Sequence, residues 1–135
     1  MIFDTSTAVQ ILKYKDFFEK IKGQIDEEVK ITSITVYELL RGATYLKIAR
    51  QSERELNVIL SFISELEVVP LGRDEAKIAS YIWGKLKSKG TPVSDADILI
   101  ASICVANKQK LLTIDEDFKK IKDVYDDFEV EFLIP

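Results

Sequence analysis

The sequence predicts a three-layer α/β/α protein, in which helices cover both faces of a mostly parallel sheet of about five strands. Short apolar segments alternate with longer amphipathic segments along the chain, and this alternation is typical of parallel sheets connected by helices. The length of 135 residues suits one hydrophobic core, so a single domain over residues 1–135 is expected. The balance of 47% hydrophobic and 31% charged residues is that of an ordinary globular chain.

Five short segments are predicted to be strands. In each of them, apolar residues run together or alternate with polar residues. Each connection between them is long enough for a helix, as a parallel sheet requires. The segments are 1–4 (MIFD), 28–33 (EVKITS), 67–71 (EVVPL), 110–114 (KLLTI) and 129–134 (EVEFLI).

Helices are predicted between these strands, where apolar residues recur every three or four positions. Thr5, Ser6 or Thr7 is a candidate N-cap for the first helix. Gly90 is a predicted C-cap, and Pro92 prevents that helix from continuing. The predicted helices span residues 5–14, 14–22, 34–49, 52–66, 73–88, 95–107 and 115–121.

The helix that begins within VSDADILIA, residues 93–101, combines an apolar body with an acidic start. From residue 98 to residue 106 it is apolar except for Ser102, and a helix that is apolar on all sides is expected to be buried. Cys104 lies in this stretch and is expected to be a small buried side chain. The two carboxylates at its start, Asp95 and Asp97, need a separate explanation.

Acidic residues recur at one edge of the predicted sheet. Asp4 ends the first strand, and Asp115 follows the strand KLLTI. Glu38 and Asp97 are expected in the first turns of two helices. Because strand carboxyl ends and helix N-termini meet at one edge of a parallel sheet, four separate segments are expected to bring acids to one place.

Each acid also has a purely structural explanation. Thr35-x-x-Glu38 and Ser94-x-x-Asp97 match the spacing of capping boxes, and acids in a first turn interact favourably with the helix dipole. The acids that follow strands suit turns. Four carboxylates gathered without a cation would, however, repel one another, whereas Mg²⁺ or Mn²⁺ prefers oxygen ligands. The pattern therefore favours an acidic metal site and phosphoryl transfer or phosphodiester hydrolysis.

Composition excludes several other kinds of site. The chain contains no histidine, which excludes Ser-His-Asp triads, His-ligated zinc and histidine-based RNA cleavage. Its single cysteine excludes an intramolecular disulfide and a cysteine zinc cluster. The net charge of −4 argues against nonspecific coating of nucleic acid through a basic surface. No apolar run approaches the roughly 20 residues that a membrane span needs, so a cytoplasmic protein is expected.

Four segments together resemble the PIN-domain nucleases, specifically the VapC-type toxins of prokaryotic toxin–antitoxin pairs. MIFDTS resembles the opening strand of the family, with its first acid at Asp4. ITVYELLRGA resembles the segment that carries the second acid, here Glu38. GTPVSDADILIAS and LLTIDEDF resemble the segments of the third and fourth acids, here Asp97 and Asp115. The resemblance covers essentially the whole chain and implies a PIN-like fold with these four residues as catalytic metal ligands.

Two further acids and three hydroxyl residues accompany this set. Asp95 is interpreted as an auxiliary group beside Asp97. Asp117 competes with Asp115 for the fourth position, but Asp115 is nearer to the strand end, and Asp117 is expected to turn aside if its segment is helical. The candidates for supporting hydrogen bonds, or alternatively for caps and turns, are Thr5, Ser6 and Thr113.

The resemblance implies a ribonuclease that uses Mg²⁺ or Mn²⁺ and is silenced by a cognate antitoxin protein. It also implies a homodimer, for which Tyr37, Tyr45 and Phe62 are candidate contacts at a dimer seam or an antitoxin groove. The four carboxylates suit either one or two metal ions. Candidates for contact with RNA or the antitoxin are Arg41, Lys13, Lys15 and Lys47.

Two other functions fit parts of the pattern. A signalling receiver domain is also a small α/β protein with an acidic Mg²⁺ site, but it needs a phospho-accepting aspartate at the end of a mid-chain strand, and residues 50–66 are predicted to be helical. A PIN-like domain that binds RNA or a partner without cleavage would keep the fold, yet all four acids are present here.

Overall fold

A single sheet of five strands forms the centre of the protein in a computed structural model that describes residues 1–135. The strands are β1 (Ile2–Phe3), β2 (Lys30–Thr32), β3 (Glu67–Val69), β4 (Leu111–Thr113) and β5 (Val130–Phe132). They lie in the order β3-β2-β1-β4-β5, and every neighbouring pair is parallel. The expected α/β fold is confirmed, with a wholly parallel sheet.

Seven helices connect the strands. None of them combines the length and the apolar character that crossing a bilayer demands. A short 3-10 turn over Lys22–Gln24 follows the second helix. The helices are α1 (Thr5–Lys13), α2 (Phe17–Ile21), α3 (Ser33–Arg50), α4 (Arg54–Ser64), α5 (Arg73–Lys89), α6 (Asp95–Ala106) and α7 (Phe118–Val124).

The last helix begins later than expected. Residues 115–121 were predicted to be helical, whereas α7 starts at Phe118. Residues 115–117 form a turn instead, in which the backbone N–H of Asp117 donates to Asp115 Oδ1 over 2.9 Å. A side-chain acceptor two positions back stabilises a turn in place of a helix.

Strand order places β1 at the middle of the sheet, between β2 and β4. Asp4 directly follows β1, α3 starts directly after β2, and Asp115 lies two residues beyond β4. Because the strands are parallel, these three positions share the carboxyl edge of the sheet. The central three strands thus bring together the segments that carry the predicted acids.

The hydrophobic core has two parts, and residues that alternate along the strands divide between them. Ile2 and Leu111 belong to a cluster of 14 buried residues that also contains side chains of α5, α6 and α7. Phe3 and Leu112 belong to a cluster of seven that also contains side chains of α2. Since successive strand side chains point to opposite faces, the sheet is covered on both faces, as a three-layer fold requires.

The helix α6 is buried as expected. Ile98, Ile100 and Ile103 are at most 3% exposed, and Cys104 is a fully buried thiol. The hydroxyl of Ser102, its polar exception, donates to the carbonyl of Ile98 over 2.7 Å. A buried polar group is thereby satisfied, so α6 forms a rigid support for its first turn.

The predicted cap of α1 was wrong. Asp4, and none of the hydroxyl residues Thr5, Ser6 and Thr7, is the N-cap, and its side chain accepts a hydrogen bond from the N–H of Thr7. Aspartate is among the best N-cap residues because its oxygens reach the free backbone donors of the first turn. Asp4 therefore lies directly between the end of β1 and the start of α1, and it caps the helix.

The predicted capping box at the start of α3 was also wrong. Thr32 is the N-cap, and its hydroxyl oxygen accepts the N–H of Thr35 over 3.2 Å. Since α3 begins at Ser33, Glu38 lies in the second turn and no acid lies in the first. The other two predicted caps, Ser94 on α6 and the left-handed Gly90 after α5, are confirmed.

Candidate functional site

Three carboxylates form a compact group at the carboxyl edge of the sheet. One side-chain oxygen from each of Asp97, Asp115 and Asp117 lies within 4.8 Å of the other two. Asp97 and Asp115 are half-buried, and Asp117 is exposed. Oxygen atoms this close together are a donor set that suits a hard divalent cation.

Asp117 belongs to this group, although it was expected to turn aside. The expectation depended on a helix at residues 115–117, where the structure has a turn. Within that turn the hydrogen bond from Asp117 N–H to Asp115 Oδ1 keeps the two side chains on the same side. Asp117 Oδ1 is also 3.2 Å from Lys120 Nζ, so this lysine partly neutralises the negative charge of Asp117.

Asp4 is the most deeply buried acid of the site, with only 2% of its surface exposed. Burial raises the pKa of this carboxyl group, and hydrogen bonds oppose the rise. Ser6 Oγ donates to Oδ2 over 2.6 Å, Thr7 Oγ1 donates to Oδ1 over 2.6 Å, and Thr113 Oγ1 donates to Oδ2 over 2.8 Å. Ser6 and Thr113 therefore hold Asp4, together with Thr7, which the sequence suggested only as a cap.

Thr113 connects two acids from different strands. Its hydroxyl donates to Asp4, and its oxygen accepts the backbone N–H of Asp115 over 2.9 Å. The side chain is fully buried, so the link is shielded from competing water. Thr113 thereby sets the position of the Asp115 backbone relative to Asp4.

Glu38 reaches the site from the second turn of α3. Thr5 Oγ1 donates to Glu38 Oε1 over 2.7 Å, and Arg41 Nη2 lies 3.4 Å from Glu38 Oε2. Thr5 in turn lies 3.0 Å from the hydroxyl of Thr35. From the sequence, Thr35 was expected only as part of a cap; its spacing of three residues from Glu38 places the two side chains on one helical face, and Thr5 bonds to both.

The electrostatics of Asp97 indicate that the four segments converge. Its pKa is raised from 3.8 to about 6, first by burial and next by the charge of Asp115. The charges of Asp4 and Glu38 raise it further, against a lowering effect of Ser94. Like charges raise a carboxyl pKa only when they are near, so Asp97 lies within the field of the other three predicted acids.

Asp95 lies outside the group of three carboxylates, exposed on the first turn of α6. Residues two apart on a helix point to opposite sides, and Asp97 takes the inward position. Asp95 is therefore left as a first-turn acid near the helix N-terminus, where the dipole favours it.

The predicted basic contacts differ in what they touch. Arg41 pairs with Glu38 and lies 5.3 Å above the ring of Tyr37. Lys47 pairs with Glu53 over 3.3 Å. Lys13, in the last turn of α1, and Lys15, just beyond it, are exposed and form no ion pair.

A groove of about 560 Å³ runs between α1, α3 and α4, and its lining includes Thr5, Lys13 and Glu38. Outside it, Tyr37 and Tyr45 are exposed on α3. Another surface cavity, of about 900 Å³, lies between α5 and residues 123–127 and contains none of the clustered acids. The groove beside Glu38 is the concave surface that adjoins the acidic site.

The sequence is similar to known nucleases. Residues 1–124 match the family model of the PIN domain. The chain is 35% identical over 103 residues to the tRNA(fMet)-specific endonuclease VapC of Salmonella typhimurium, with 74% of each chain covered. It is 36% identical over 103 residues to Ribonuclease VapC3 of Methanocaldococcus jannaschii, with 76% of this chain and 95% of that protein covered.

Solved structures share the fold. VapBC from Salmonella typhimurium, solved bound to DNA, contains a similar chain with a TM-score of 0.82 and 28% identity, covering 97% of this chain and 96% of that chain. VapBC2 from Rickettsia felis, bound to a fragment of its promoter DNA, has a TM-score of 0.75 at 23% identity, covering 98% of both chains. The second likeness concerns the fold alone.

Proposed function

The chain belongs to the PIN domain family, and from this premise we propose that it is a metal-dependent ribonuclease that acts as the toxin of a toxin–antitoxin pair. The observation that carries the proposal is the group of Asp97, Asp115 and Asp117 at one edge of the sheet, with Asp4 and Glu38 near enough for their charges to raise the pKa of Asp97. The relatives named as ribonucleases support RNA as the substrate. With RNA as the substrate, the proposed compartment is the cytoplasm.

The acids fit a divalent cation. Asp4, Glu38, Asp97 and Asp115 are the proposed ligands, with Mg²⁺ or Mn²⁺ as the ion. Burial first, and then the charge of Asp115, raises the pKa of Asp97, and a hard cation would offset the repulsion between the carboxylates. When bound, the ion would polarise a water molecule and neutralise charge on the scissile phosphodiester.

The chain's own residues supply positioning. Asp4 is held by three hydroxyl groups and a backbone N–H, so it cannot swing away from the edge. Asp97 is carried by the rigid helix α6, and Asp115 is tied to Thr113. Since no histidine is present, the proposal assigns proton transfer to these carboxylates.

The groove between α1, α3 and α4 is the proposed surface for the antitoxin or for RNA. Its walls are mostly apolar, which suits an amphipathic helix of an antitoxin. Its lining also includes Glu38 and Lys13, and the charge of the lysine suits an RNA strand. The antitoxin assignment is supported by the similarity to the VapBC structure from Salmonella typhimurium. The exposed Tyr37 and Tyr45 on α3 are proposed contacts of a homodimer.

The test is calorimetric titration of the antitoxin-free protein with Mn²⁺, followed by cleavage of labelled RNA. Asp97→Asn should lose metal binding and cleavage together. Asp95→Asn is the matched control, because it removes an acid from the same helical turn but outside the cluster, and it should keep both. A wild type that neither binds Mn²⁺ at millimolar concentration nor cleaves RNA would overturn the proposal, and cleavage that resists a chelator would overturn its metal dependence.

A further inference from the structure

A chain of three threonine hydroxyl groups leads from the end of β2 to Glu38. Thr32 Oγ1 lies 3.5 Å from Thr35 Oγ1, Thr35 Oγ1 lies 3.0 Å from Thr5 Oγ1, and Thr5 Oγ1 lies 2.7 Å from Glu38 Oε1. Thr32 and Thr35 are fully buried, and Thr5 is half-buried. The series of hydroxyl groups, from two separate segments of the chain, thus ends at Oε1 of Glu38.

The direction of these hydrogen bonds follows from counting protons. A hydroxyl group has one proton to donate, and a carboxylate only accepts. Thr5 gives its proton to Glu38, so in its contact with Thr35 it must accept. Thr35 therefore donates to Thr5, and the remaining proton in the chain, that of Thr32, is directed at Thr35. All three protons point towards Glu38.

The shortest contact is the one that touches the carboxylate. At 2.7 Å, the bond from Thr5 has a normal O–H···O length, and hydrogen bonds to a carboxylate are stronger than those between neutral groups. Hydroxyl groups in series polarise one another, and burial strengthens the effect. Thr35, which is 3.0 Å from Thr5, therefore acts on Glu38 without touching it.

The two carboxylate oxygens of Glu38 have different partners. Oε1 of Glu38 accepts the hydrogen bond from Thr5 on the inner side. Oε2 faces the exposed side chain of Arg41, whose Nη2 is 3.4 Å away. A glutamate has three side-chain torsions and would otherwise sample many orientations. Fixing one oxygen orients the other before any ligand arrives, which is how supporting hydrogen bonds prepare a metal site.

We propose that Thr35, a fully buried residue that touches neither metal nor substrate, is a positioning residue that orients Glu38 as a metal ligand through Thr5. The inference rests on the proposed function, because it needs Glu38 to bind the metal. It assigns a task to the threonine of Thr35-x-x-Glu38 that differs from helix capping, which Thr32 performs.

The experiment compares Thr35→Val with Thr35→Ser. Valine keeps the shape and removes the hydroxyl group, whereas serine keeps the hydroxyl group and removes a methyl group. The measurement is Mn²⁺ affinity by calorimetry, beside kcat and KM for RNA cleavage. We expect a loss of about 10–100-fold in Mn²⁺ affinity for the valine variant, and less than about threefold for the serine variant.

A double-mutant cycle separates positioning from packing. If Thr35 acts through Glu38, Thr35→Val should add no further loss of Mn²⁺ affinity in a Glu38→Ala background, because coupled residues are not additive. Equal losses in the valine and serine variants, or a valine loss that persists in the Glu38→Ala background, would overturn the inference. If Thr35→Val does not fold, the same comparison is made at half-buried Thr5, where Thr5→Val should lose affinity and Thr5→Ser should keep it.

The wild type distinguishes the two possible failures. A wild type that binds Mn²⁺ and cleaves RNA, beside a valine variant that equals it, would leave the proposed function intact and refute the role of Thr35. A wild type that does neither refutes the proposed function and this inference with it. Ile121→Val, which trims a fully buried side chain on α7, is the control for loss of a buried methyl group and should bind Mn²⁺ normally.

Discussion

Asp97 illustrates, at the scale of a residue, how a site can oppose the stability of its own fold. Its carboxylate is half-buried near three other acids, and its pKa is raised from 3.8 to about 6. Because the folded state holds the proton more tightly than the unfolded state, this group stabilises the fold fully below pH 3.8. That contribution is lost as the pH rises through about 6.

Asp97→Asn should therefore stabilise the metal-free protein at pH 8. The shift of about two pKa units corresponds to about 3 kcal/mol, and solvent screening of a half-exposed group reduces it to about 1–2 kcal/mol. Urea unfolding in the presence of a chelator should show the variant above the wild type at pH 8, with the two converging near pH 4. A variant that is less stable than the wild type at pH 8 would mean that Asp97 serves α6 as a first-turn acid and little else.

The two candidate fourth acids should differ in their effect on metal binding. Asp115 is half-buried and its backbone is tied to Thr113, whereas Asp117 is exposed and pairs with Lys120. We expect Asp115→Asn to lower Mn²⁺ affinity by at least about tenfold and Asp117→Asn to lower it by less than about threefold. Calorimetry on the two variants side by side decides the assignment, and the reverse order of losses would make Asp117 the fourth ligand.

The element that matters most to the site is α6. Its apolar body is packed in the larger core cluster, and its acidic first turn is held by Ser94, whose hydroxyl oxygen accepts the N–H of Asp97 over 3.2 Å. The cap and the core together determine where Asp97 can lie. A buried helix without a cap would leave free backbone donors beside the carboxylates.

Ser94→Ala should destabilise the protein by about 1 kcal/mol, the usual value of a lost N-cap. Ser80→Ala is a suitable control, because Ser80 is exposed in the middle of α5 and bonds only to a carbonyl of its own helix. The midpoint of urea unfolding should fall for the first variant and stay nearly constant for the second, with the slope unchanged in both. Equal midpoints for the two variants would show that the Ser94 cap contributes nothing measurable.

At the scale of the whole molecule, strand order is what joins the acids. The sequence positions of Asp4, Glu38, Asp97 and Asp115 span most of the chain. The order β2-β1-β4 at the centre of the sheet brings the segments of Asp4, Glu38 and Asp115 to one edge, and the start of α6 places Asp97 beside Asp115. A ligand held by all of these segments binds only the folded state. Metal binding should therefore be linked to global stability.

Mn²⁺ should raise the melting temperature of the wild type and leave that of Asp97→Asn unchanged. At a concentration about 100 times the dissociation constant, the stabilisation is about 2.7 kcal/mol, which for a chain of this size is a shift in melting temperature of about 10 °C. Calorimetric melting with increasing Mn²⁺ measures it directly. An identical shift in both proteins would indicate binding elsewhere on the acidic surface.

The sequence by itself determined the class of fold and the edge of the sheet at which Asp97 and Asp115 meet, whereas it set Asp117 aside. Short apolar segments alternate with longer amphipathic segments. This pattern specified a parallel sheet, because a sheet with both faces buried must be covered by helices on each face. Acids placed after strands then had to meet at the carboxyl edge. The buried helix with its Ser94 cap and the C-cap at Gly90 were also predictable, since both depend on residues next to one another in the chain.

Only the tertiary structure decided how each carboxylate is held. Asp4 caps α1 while Thr113, 109 positions away, donates to it, and Glu38 is bonded to Thr5, 33 positions away. From the sequence, Thr5 and Thr113 were candidates either for supporting hydrogen bonds or for caps and turns, because local patterns show only the neighbours along the chain. A hydroxyl group bonds whichever acceptor folding brings within reach, so the hydrogen bonds that orient the acids depend on strand order and helix packing.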